Sequence, residues 1–247
     1  MNIAQYLDST YLKTPQQSGL SHEETLQKDI DLTQEAIDHN FFAVMIRPDY
    51  VADIKKYIKE KKSGVVVGTV IGFHEGTYSL DEKFAEASKA IADEADELDF
   101  VINYSAYLQG DLHIVQEEFI KCTQLCLGHH KVAKWIIEIA ALTDEQIADL
   151  TQHISDWAED NFSEDDLPEI FVKSSTGFYQ TADGKPNGAT FEGIKIMLAH
   201  AGKLSVKASG GVRTPEDAEK MISLGVKRIG TSSALALIKD QAGTNGY

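Results

Sequence analysis

Two lysines and one aspartate lie in short apolar segments, where a charged side chain is costly to bury unless it is paired or neutralised. Lys173 ends the segment IFVK, Lys207 lies in LSVKA, and Asp99 lies in LDFVIN. Two ammonium groups held close together disfavour each other's charge, and partial burial disfavours both, so one amine loses its proton near neutral pH. An unprotonated amine can attack a carbonyl carbon and form a Schiff base, whose iminium group accepts electrons as a nearby carbon–carbon bond breaks. These residue types therefore predict covalent carbonyl chemistry, with Asp99 moving protons through water.

Other polar residues share an inward-facing parity with these three, because residues i and i+2 of a strand lie on one face. They are Asn103 on the segment of Asp99, Lys134 and Glu138 on the next segment, and Ser205 and Ser209 on the segment of Lys207. The alternative interpretation is a buried ion-pair network that only fills the core. Burying several charges for packing alone is expensive, which favours a functional site.

Short apolar segments alternate with longer helix-like segments along the chain, such as Leu80–Ala95, Asp144–Asp160 and Thr214–Gly225. The apolar segments are Phe42–Ile46, Val65–Ile71, Leu98–Asn103, Val132–Ile139, Ile170–Lys173, Leu204–Ala208 and Arg228–Gly230, with an eighth candidate around Tyr6–Asp8. Repeated strand–helix units predict a parallel sheet, and eight of them close into a (β/α)8 barrel. We predict one α/β TIM-barrel domain over residues 1–247, with a mobile C-terminal tail at 240–247. A doubly wound open sheet is the alternative, but neither G-x-G-x-x-G nor a Walker A motif is present.

The composition of the chain limits which classes of partner and which cellular compartment are expected. The formal net charge of −16 argues against nucleic-acid and anionic-membrane partners, which require a basic face. No apolar run approaches the roughly 18 residues of a membrane span, and the N-terminus shows no signal-peptide pattern. Cys122 and Cys126 are expected to be buried side chains rather than a disulfide or metal pair, which indicates a reducing compartment. We predict a cytoplasmic protein that uses neither a cofactor nor a metal.

Two glycine-containing segments follow the last two predicted strands. They read SGGVRTPED and GTSSAL. Loops at this place in such barrels often bind phosphate through backbone N–H groups and a helix N-terminus. Glycines allow close approach and serine hydroxyls add donors, so Gly210, Gly211, Ser232 and Ser233 predict a phosphate site.

Six segments along nearly the whole chain resemble the deoxyribose-phosphate aldolase family. In order they are LDSTYLK, GTVIGF, ELDFVIN, FVKSSTGF, VKASGGVRT and RIGTSSAL. The resemblance implies a (β/α)8 barrel that reversibly cleaves 2-deoxy-D-ribose 5-phosphate to D-glyceraldehyde 3-phosphate and acetaldehyde without a metal. It also implies a role in nucleoside catabolism and makes a homodimer the candidate assembly.

The same motifs imply roles for single residues. Lys173 resembles the Schiff-base nucleophile, Lys207 the neighbour that lowers its pKa, and Asp99 the proton-relay acid/base. Substrate- or phosphate-binding roles are predicted for Asp8, Lys134, Gly177, Gly210, Gly211, Ser232, Ser233 and, through the mobile tail, Tyr247.

The chain departs from the family at several positions. His74 and Glu75 stand where the family usually has a proline and an apolar residue, and Phe178 stands where some members have a lysine. Met45 replaces a cysteine of many members, and the loop Tyr179–Gly188 is longer than usual. The segment IIEIAAL also lacks the Thr-Gly that often follows its glutamate. These departures concern phosphate affinity and aldehyde range rather than residues that the reaction requires.

Two classes of rival function remain. One is another phosphosugar barrel enzyme, such as a different Schiff-base aldolase, a transaldolase or an isomerase, although an isomerase would not need a second lysine. A metal-dependent aldolase would need convergent histidines, and the 8 histidines show no ligand spacing. The other is a non-catalytic phosphosugar-binding barrel, which should lack at least one of Lys173, Lys207 and Asp99.

Overall fold

Eight parallel strands close into a barrel within residues 2–238, the part of the chain that the computed structural model describes. The strands are β1 (Leu7–Thr10), β2 (Ala43–Ile46), β3 (Val66–Ile71), β4 (Glu97–Val101), β5 (Val132–Ile136), β6 (Ile170–Lys173), β7 (Ser205–Ser209) and β8 (Arg228–Thr231). Each strand pairs with the next along the chain, and β8 returns to pair with β1. The predicted (β/α)8 barrel is confirmed. The predicted tail at 240–247, including Tyr247, lies outside the described residues.

Helices connect the strands. They are α1 (Pro15–Ser18), α2 (His22–His39), α3 (Val51–Lys61), α4 (Leu80–Ala92), α5 (Tyr104–Gln109), α6 (Leu112–Gly128), α7 (Asp144–Asn161), α8 (Phe191–His200), α9 (Pro215–Leu224) and α10 (Ala234–Ile238). Short 3-10 helices occupy Ile3–Tyr6, Pro48–Tyr50, Ile139–Ala141, Leu167–Glu169 and Ala182–Gly184.

Local sequence sets the helix ends. Ser21, Ser79 and Thr143 form capping boxes, in which the hydroxyl accepts a backbone N–H from the third helical residue, whose side chain accepts the cap's own N–H. Thr214 caps α9, which ends at Gly225 in the left-handed conformation, so the helix matches the predicted segment Thr214–Gly225.

Two strands end earlier than the sequence indicated. β4 ends at Val101, and Asn103 instead caps α5, its Oδ1 accepting the backbone N–H of Ala106 at 3.0 Å. β5 ends at Ile136, and Glu138 adopts a left-handed backbone with φ of 55°. Asn103 and Glu138 therefore lie beyond the strands, and the alternation of strand residues does not determine which way they face.

Alternate strand residues face two different apolar regions. One set packs outward against the helices in the main core, for example Val44, Ile46, Leu98 and Phe100. The other set forms a smaller interior cluster of Leu12, Met45, Val70, Phe73, Val101 and Ile136. Because its strand members share the parity of Asp99, this cluster faces the inside of the barrel.

Two expectations from composition can be compared with the fold. Cys122 and Cys126 are free and buried on α6, as predicted. Among residues 2–238, the helices are too short or too polar to cross a membrane.

Candidate active site

Lys173, Lys207 and Asp99 meet inside the barrel. The Nζ atoms of Lys173 and Lys207 lie 2.8 Å and 2.9 Å from the same oxygen, Oδ2 of Asp99. The two lysines are also partners in the register of β6 and β7. The sequence placed these three residues on inward faces, and the barrel brings them into direct contact.

Six buried side chains form a closed loop in which positive and negative groups alternate, and we call it the charge ring. In order, its members are Asp99, Lys134, Glu97, Arg228, Asp8 and Lys207. The N–O distances between successive members, returning to Asp99, are 2.8, 2.6, 2.8, 2.7, 2.6 and 2.9 Å. Each cation of the ring contacts two carboxylates, whereas among the described residues Lys173 forms an ion pair with Asp99 alone.

Two members of the ring, Glu97 and Arg228, were not predicted from the sequence. Glu97 precedes Asp99 by two positions on β4, and Arg228 begins β8. The parity rule that selected Asp99 could have found Glu97, because both residues face inward. Lys134 was predicted to bind substrate, yet it is fully buried between Glu97 and Asp99. Its contacts place it in the ring, and a contact with substrate stays a prediction.

The ring keeps two of its buried acids, Asp8 and Asp99, ionised. Burial alone would raise the pKa of Asp8, but the charges of Arg228 and Lys207 outweigh it and lower the pKa to about 2. Burial likewise opposes ionisation of Asp99, but Lys134, Lys173 and Lys207 hold its pKa well below the usual range. Asp99 is therefore a carboxylate at neutral pH, and any proton that it accepts is released again readily.

The two contacting lysines have opposite pKa shifts. Burial is the main cause that lowers the pKa of Lys173 to about 8; the Asp99 carboxylate raises this pKa in part, and the Lys207 charge lowers it. Burial also disfavours the charge on Lys207, but its contacts with Asp8 and Asp99 raise its pKa above the ordinary value. Lys173 is thus the amine that most readily loses its proton.

A further buried carboxyl, Glu138, lies next to this lysine. Its Oε2 accepts hydrogen bonds from the Thr176 backbone N–H, at 3.1 Å, and from the Thr176 hydroxyl. Burial raises the pKa of Glu138 to about 7, although Thr176 and the charge of Lys173 lower it in part. Glu138 therefore titrates near neutral pH and holds the turn that follows Lys173.

An apolar wall lies on one side of Lys173. Ile136 is its register partner on β5, and Val70 is the register partner of Asp99 on β3. Both belong to the interior cluster, against which Tyr104 and Phe178 also pack. A small apolar group attached to the amine would meet hydrocarbon on this side.

Two of the departures from the family pattern contact each other. The His74 ring stacks on Phe178 with centroids 5.4 Å apart, and Phe73 meets Phe178 edge-on at 5.0 Å. The loop after β3 and the loop after β6 are therefore joined by aromatic packing, and burial lowers the pKa of His74.

The predicted phosphate residues lie after the adjacent strands β7 and β8. Gly210 and Gly211 have φ of 69° and 76°, in the left-handed region that glycine adopts readily. The N–H of Gly210 donates to the Gly230 carbonyl at 3.1 Å, so Gly210 shapes the loop rather than offering a donor. The N–H of Ser233 donates to the Thr231 hydroxyl at 3.0 Å.

The remaining predicted phosphate residue, Gly177, lies in the turn after β6, the strand that pairs with β7. It has φ of 80°, and its carbonyl accepts a hydrogen bond from the Asn187 side chain at 2.9 Å. This bond ties the turn after β6 to the long loop that precedes α8. The side chain of Ser174 connects β6 to β7, because its hydroxyl accepts the Ser209 N–H at 3.0 Å.

A closed barrel with a readily deprotonated lysine at the carboxyl end of a strand defines an enzyme of carbonyl chemistry. Residues 4–240 match the DeoC/LacD family aldolase model, and the chain belongs to this family of aldolases. It is 38% identical over 240 residues to deoxyribose-phosphate aldolase of Caldicellulosiruptor saccharolyticus, covering 96% of this chain and 97% of the relative. It is 37% identical over 240 residues to the enzyme of that name from Thermococcus gammatolerans, covering 97% and 96%.

A solved structure shows the same likeness. The tetrameric deoxyribose phosphate aldolase from Aeropyrum pernix superposes with a TM-score of 0.75 at 29% identity, covering 96% of this chain and 89% of that one. The resemblance predicted from the six sequence segments is confirmed.

Proposed function

We propose that this aldolase reversibly cleaves 2-deoxy-D-ribose 5-phosphate to D-glyceraldehyde 3-phosphate and acetaldehyde through a Schiff base on Lys173. The observation that carries the proposal is the buried amine of Lys173, with a pKa of about 8 and, in the described part of the chain, one carboxylate partner, Asp99, at 2.8 Å. The names of the relatives support the substrate.

Covalent catalysis begins at the aldehyde carbon C1 of the open-chain sugar. The neutral Nζ of Lys173 adds to C1 to give a carbinolamine, which loses water and becomes an iminium ion. Removal of the proton from the C3 hydroxyl then breaks the C2–C3 bond, and its electron pair moves into the iminium to leave an enamine. D-Glyceraldehyde 3-phosphate departs, C2 takes up a proton, and water releases acetaldehyde and the free amine.

Asp99 serves as the proton-transfer group in these steps. Its carboxylate accepts a proton only transiently because Lys134, Lys173 and Lys207 favour the charged form. Such a group passes protons between the substrate, water and the lysine amine instead of holding them.

The phosphate is assigned to the loops after β7 and β8, with Gly211, Ser232 and Ser233 nearest to it and Gly210 shaping the turn. This assignment places the phosphate across the barrel opening from the apolar wall. The two-carbon aldehyde fragment then lies against Val70 and Ile136, while Gly177 closes the side between them. Asp8 contributes to the site indirectly, through its ion pairs with Lys207 and Arg228.

Trapping of the covalent intermediate tests the proposal. Acetaldehyde and sodium borohydride should add a reduced two-carbon group to the peptide that contains Lys173, as read by mass spectrometry. Lys83 is the internal control, because it is equally buried but pairs with Glu118 outside the charge ring. Lys173→Leu should abolish both the adduct and the release of acetaldehyde from deoxyribose 5-phosphate. Retained cleavage in that variant would refute the assignment.

The biological setting is also a proposal. Small phosphosugars and aldehydes are the partners, and nucleoside catabolism in the cytoplasm is the setting that the substrate suggests. The formal net charge of −16 supports the absence of a nucleic-acid or membrane partner. A homodimer is the proposed assembly, and its mass in solution can be measured by light scattering.

A further inference from the structure

The charge ring has equal numbers of positive and negative members. Three carboxylates and three cations alternate, so the ring is neutral when all six are ionised. A protonated Lys173 would add one uncompensated positive charge to this buried group. An uncompensated charge is unfavourable in a low-dielectric interior, and loss of one proton restores neutrality.

The contacts decide which amine gives up that proton. Deprotonation of Lys134 or Lys207 would weaken contacts with two carboxylates each, whereas deprotonation of Lys173 affects only Asp99. Lys173 is also the amine at the end of its strand, with 3% of its surface exposed against none for the other two.

We propose that Glu97 and Arg228 are positioning residues of the aldolase reaction, because they complete the neutral ring that leaves Lys173 as the amine in excess. The proposal rests on the function proposed above, in which Lys173 is the nucleophile. Glu97 binds Lys134 and Arg228, and Arg228 binds Glu97 and Asp8. Neither residue contacts Lys173, so both act through the charges that separate them from it.

The proposal depends on the charged groups around Lys173. Asp99 approaches it from β4, Lys134 from β5 and Lys207 from β7. Glu138, beyond the end of β5, is a fourth group that affects its charge and lies outside the ring. A substitution at Glu97 or Arg228 leaves these four neighbours of Lys173 in place. It changes only the net charge of the ring.

Substitutions that remove one charge from the ring test the proposal, because removing an acid and removing a cation should shift the pH dependence in opposite directions. Glu97→Gln leaves the ring with one excess positive charge, which disfavours the Lys173 ammonium. The ascending limb of kcat/KM against pH should then move to lower pH, by roughly 0.5–1 unit for one buried charge at an effective dielectric constant of about 20. Arg228→Gln leaves one excess negative charge and should move the limb to higher pH. The double variant restores neutrality and should return the limb close to its original position.

Matched controls separate charge from structural damage. Arg228→Lys keeps the ring neutral and should leave the limb in place. Glu118→Gln removes a buried acid that pairs with Lys83 at 2.6 Å, outside the ring, and should also leave it in place. Circular dichroism identifies variants that fold. If Glu97→Gln does not fold, Asp8→Asn removes the same charge from the ring and should give the same downward shift.

Three results would overturn the proposal: shifts of the same sign in both single variants, no recovery in the double variant, or an equal shift in Glu118→Gln. The pH dependence of reductive trapping with acetaldehyde should follow the same order as the kinetic limb. Failure to trap Lys173 in the unaltered protein would instead refute the proposed function. Normal trapping with an unmoved pH dependence would refute only the role of Glu97 and Arg228.

Discussion

Lys173 and Lys207 share one oxygen of Asp99, at 2.8 Å and 2.9 Å, yet among residues 2–238 only Lys207 has a second carboxylate partner, Asp8, at 2.6 Å. This asymmetry gives the neighbouring amines different properties. Lys207 has its pKa raised by two carboxylates, and Lys173 has a pKa of about 8. The proposed nucleophile and its charged neighbour are both buried, and it is chiefly their carboxylate partners that distinguish their pKa values.

Lys207→Leu should move the ascending limb of kcat/KM to higher pH. The substitution removes the positive charge that lowers the pKa of Lys173 and leaves Asp99 freer to stabilise the ammonium form. A pH series with deoxyribose 5-phosphate measures the limb. Lys203→Leu, at an exposed ion pair with Glu164, is the control and should not move it. An unchanged limb in Lys207→Leu would exclude Lys207 as the neighbour that lowers the pKa.

Asp99→Asn should reduce both activity and stability. Loss of the carboxylate proposed to transfer protons is expected to lower kcat by about 10²–10⁴. Three cations lose their shared partner, and breaking such a buried network costs about 3–5 kcal/mol at pH 7. Because the folded pKa of Asp99 is depressed, this stability is present above the unfolded value and is lost as pH falls toward the folded one.

Urea unfolding of Asp99→Asn at a series of pH values measures that loss. The difference from the unaltered protein should shrink as the solution becomes acidic. Glu164→Gln, which breaks a surface ion pair, should unfold like the unaltered protein. A loss of stability that is the same at every pH would contradict the assignment to the Asp99 charge.

Glu138→Gln should also change how stability depends on pH. The change should have the opposite sign to that of Asp99→Asn, because folding raises the pKa of Glu138 and lowers that of Asp99. The pKa of Glu138 is raised from 4.5 to about 7 on folding, so the folded protein binds this proton more tightly. The contribution is present below pH 4.5 and is lost as pH rises to about 7, up to about 3 kcal/mol in all. Glutamine does not titrate, so the variant should gain stability relative to the unaltered protein across this window. Parallel unfolding curves over the window would contradict the raised pKa.

His74 and Phe178 should be energetically coupled. Their rings stack at 5.4 Å, and such aromatic pairs contribute about 0.5–1.5 kcal/mol beyond buried area. A double-mutant cycle of His74→Ala and Phe178→Ala should return a coupling energy of that size in unfolding experiments. Pairing Phe84→Ala with His74→Ala is the control, because Phe84 is an exposed residue on α4 and the two effects should add.

Gly211→Ala should weaken phosphate binding. A Cβ at this position would lie 2.6 Å from the carbonyl oxygen of Ala189, and φ is 76°. Strain of this kind costs about 1–3 kcal/mol and would displace the loop after β7. We expect a higher KM for deoxyribose 5-phosphate and little change for unphosphorylated deoxyribose. Gly64→Ala, where a Cβ would have open space, should leave both unchanged.

The parts of the fold that depend on local patterns were predicted from the sequence. Strand alternation predicted that Lys173, Lys207 and Asp99 face inward, and the predicted closure of the strands into a barrel implied that they lie close together. Strand ends were less predictable, since Asn103 serves as a helix cap and Glu138 adopts a left-handed backbone. Contacts made by barrel closure were not predictable from local sequence. Glu97 meets Arg228 from 131 positions away, a pairing that depends on the register of the complete sheet.

The charge ring also ties chemistry to the order of folding. Asp8 on the first strand binds Arg228 on the last, 220 positions away, a contact of very high sequence separation. Contacts of this kind form late, because the entropy of closing a long loop must be overcome first. A growing chain that has made six strands already contains Lys173 but not the ring that surrounds it. Its lysine would be solvated and protonated like any surface amine, and would gain the reactivity toward aldehydes proposed above only when the last strand docks against the first.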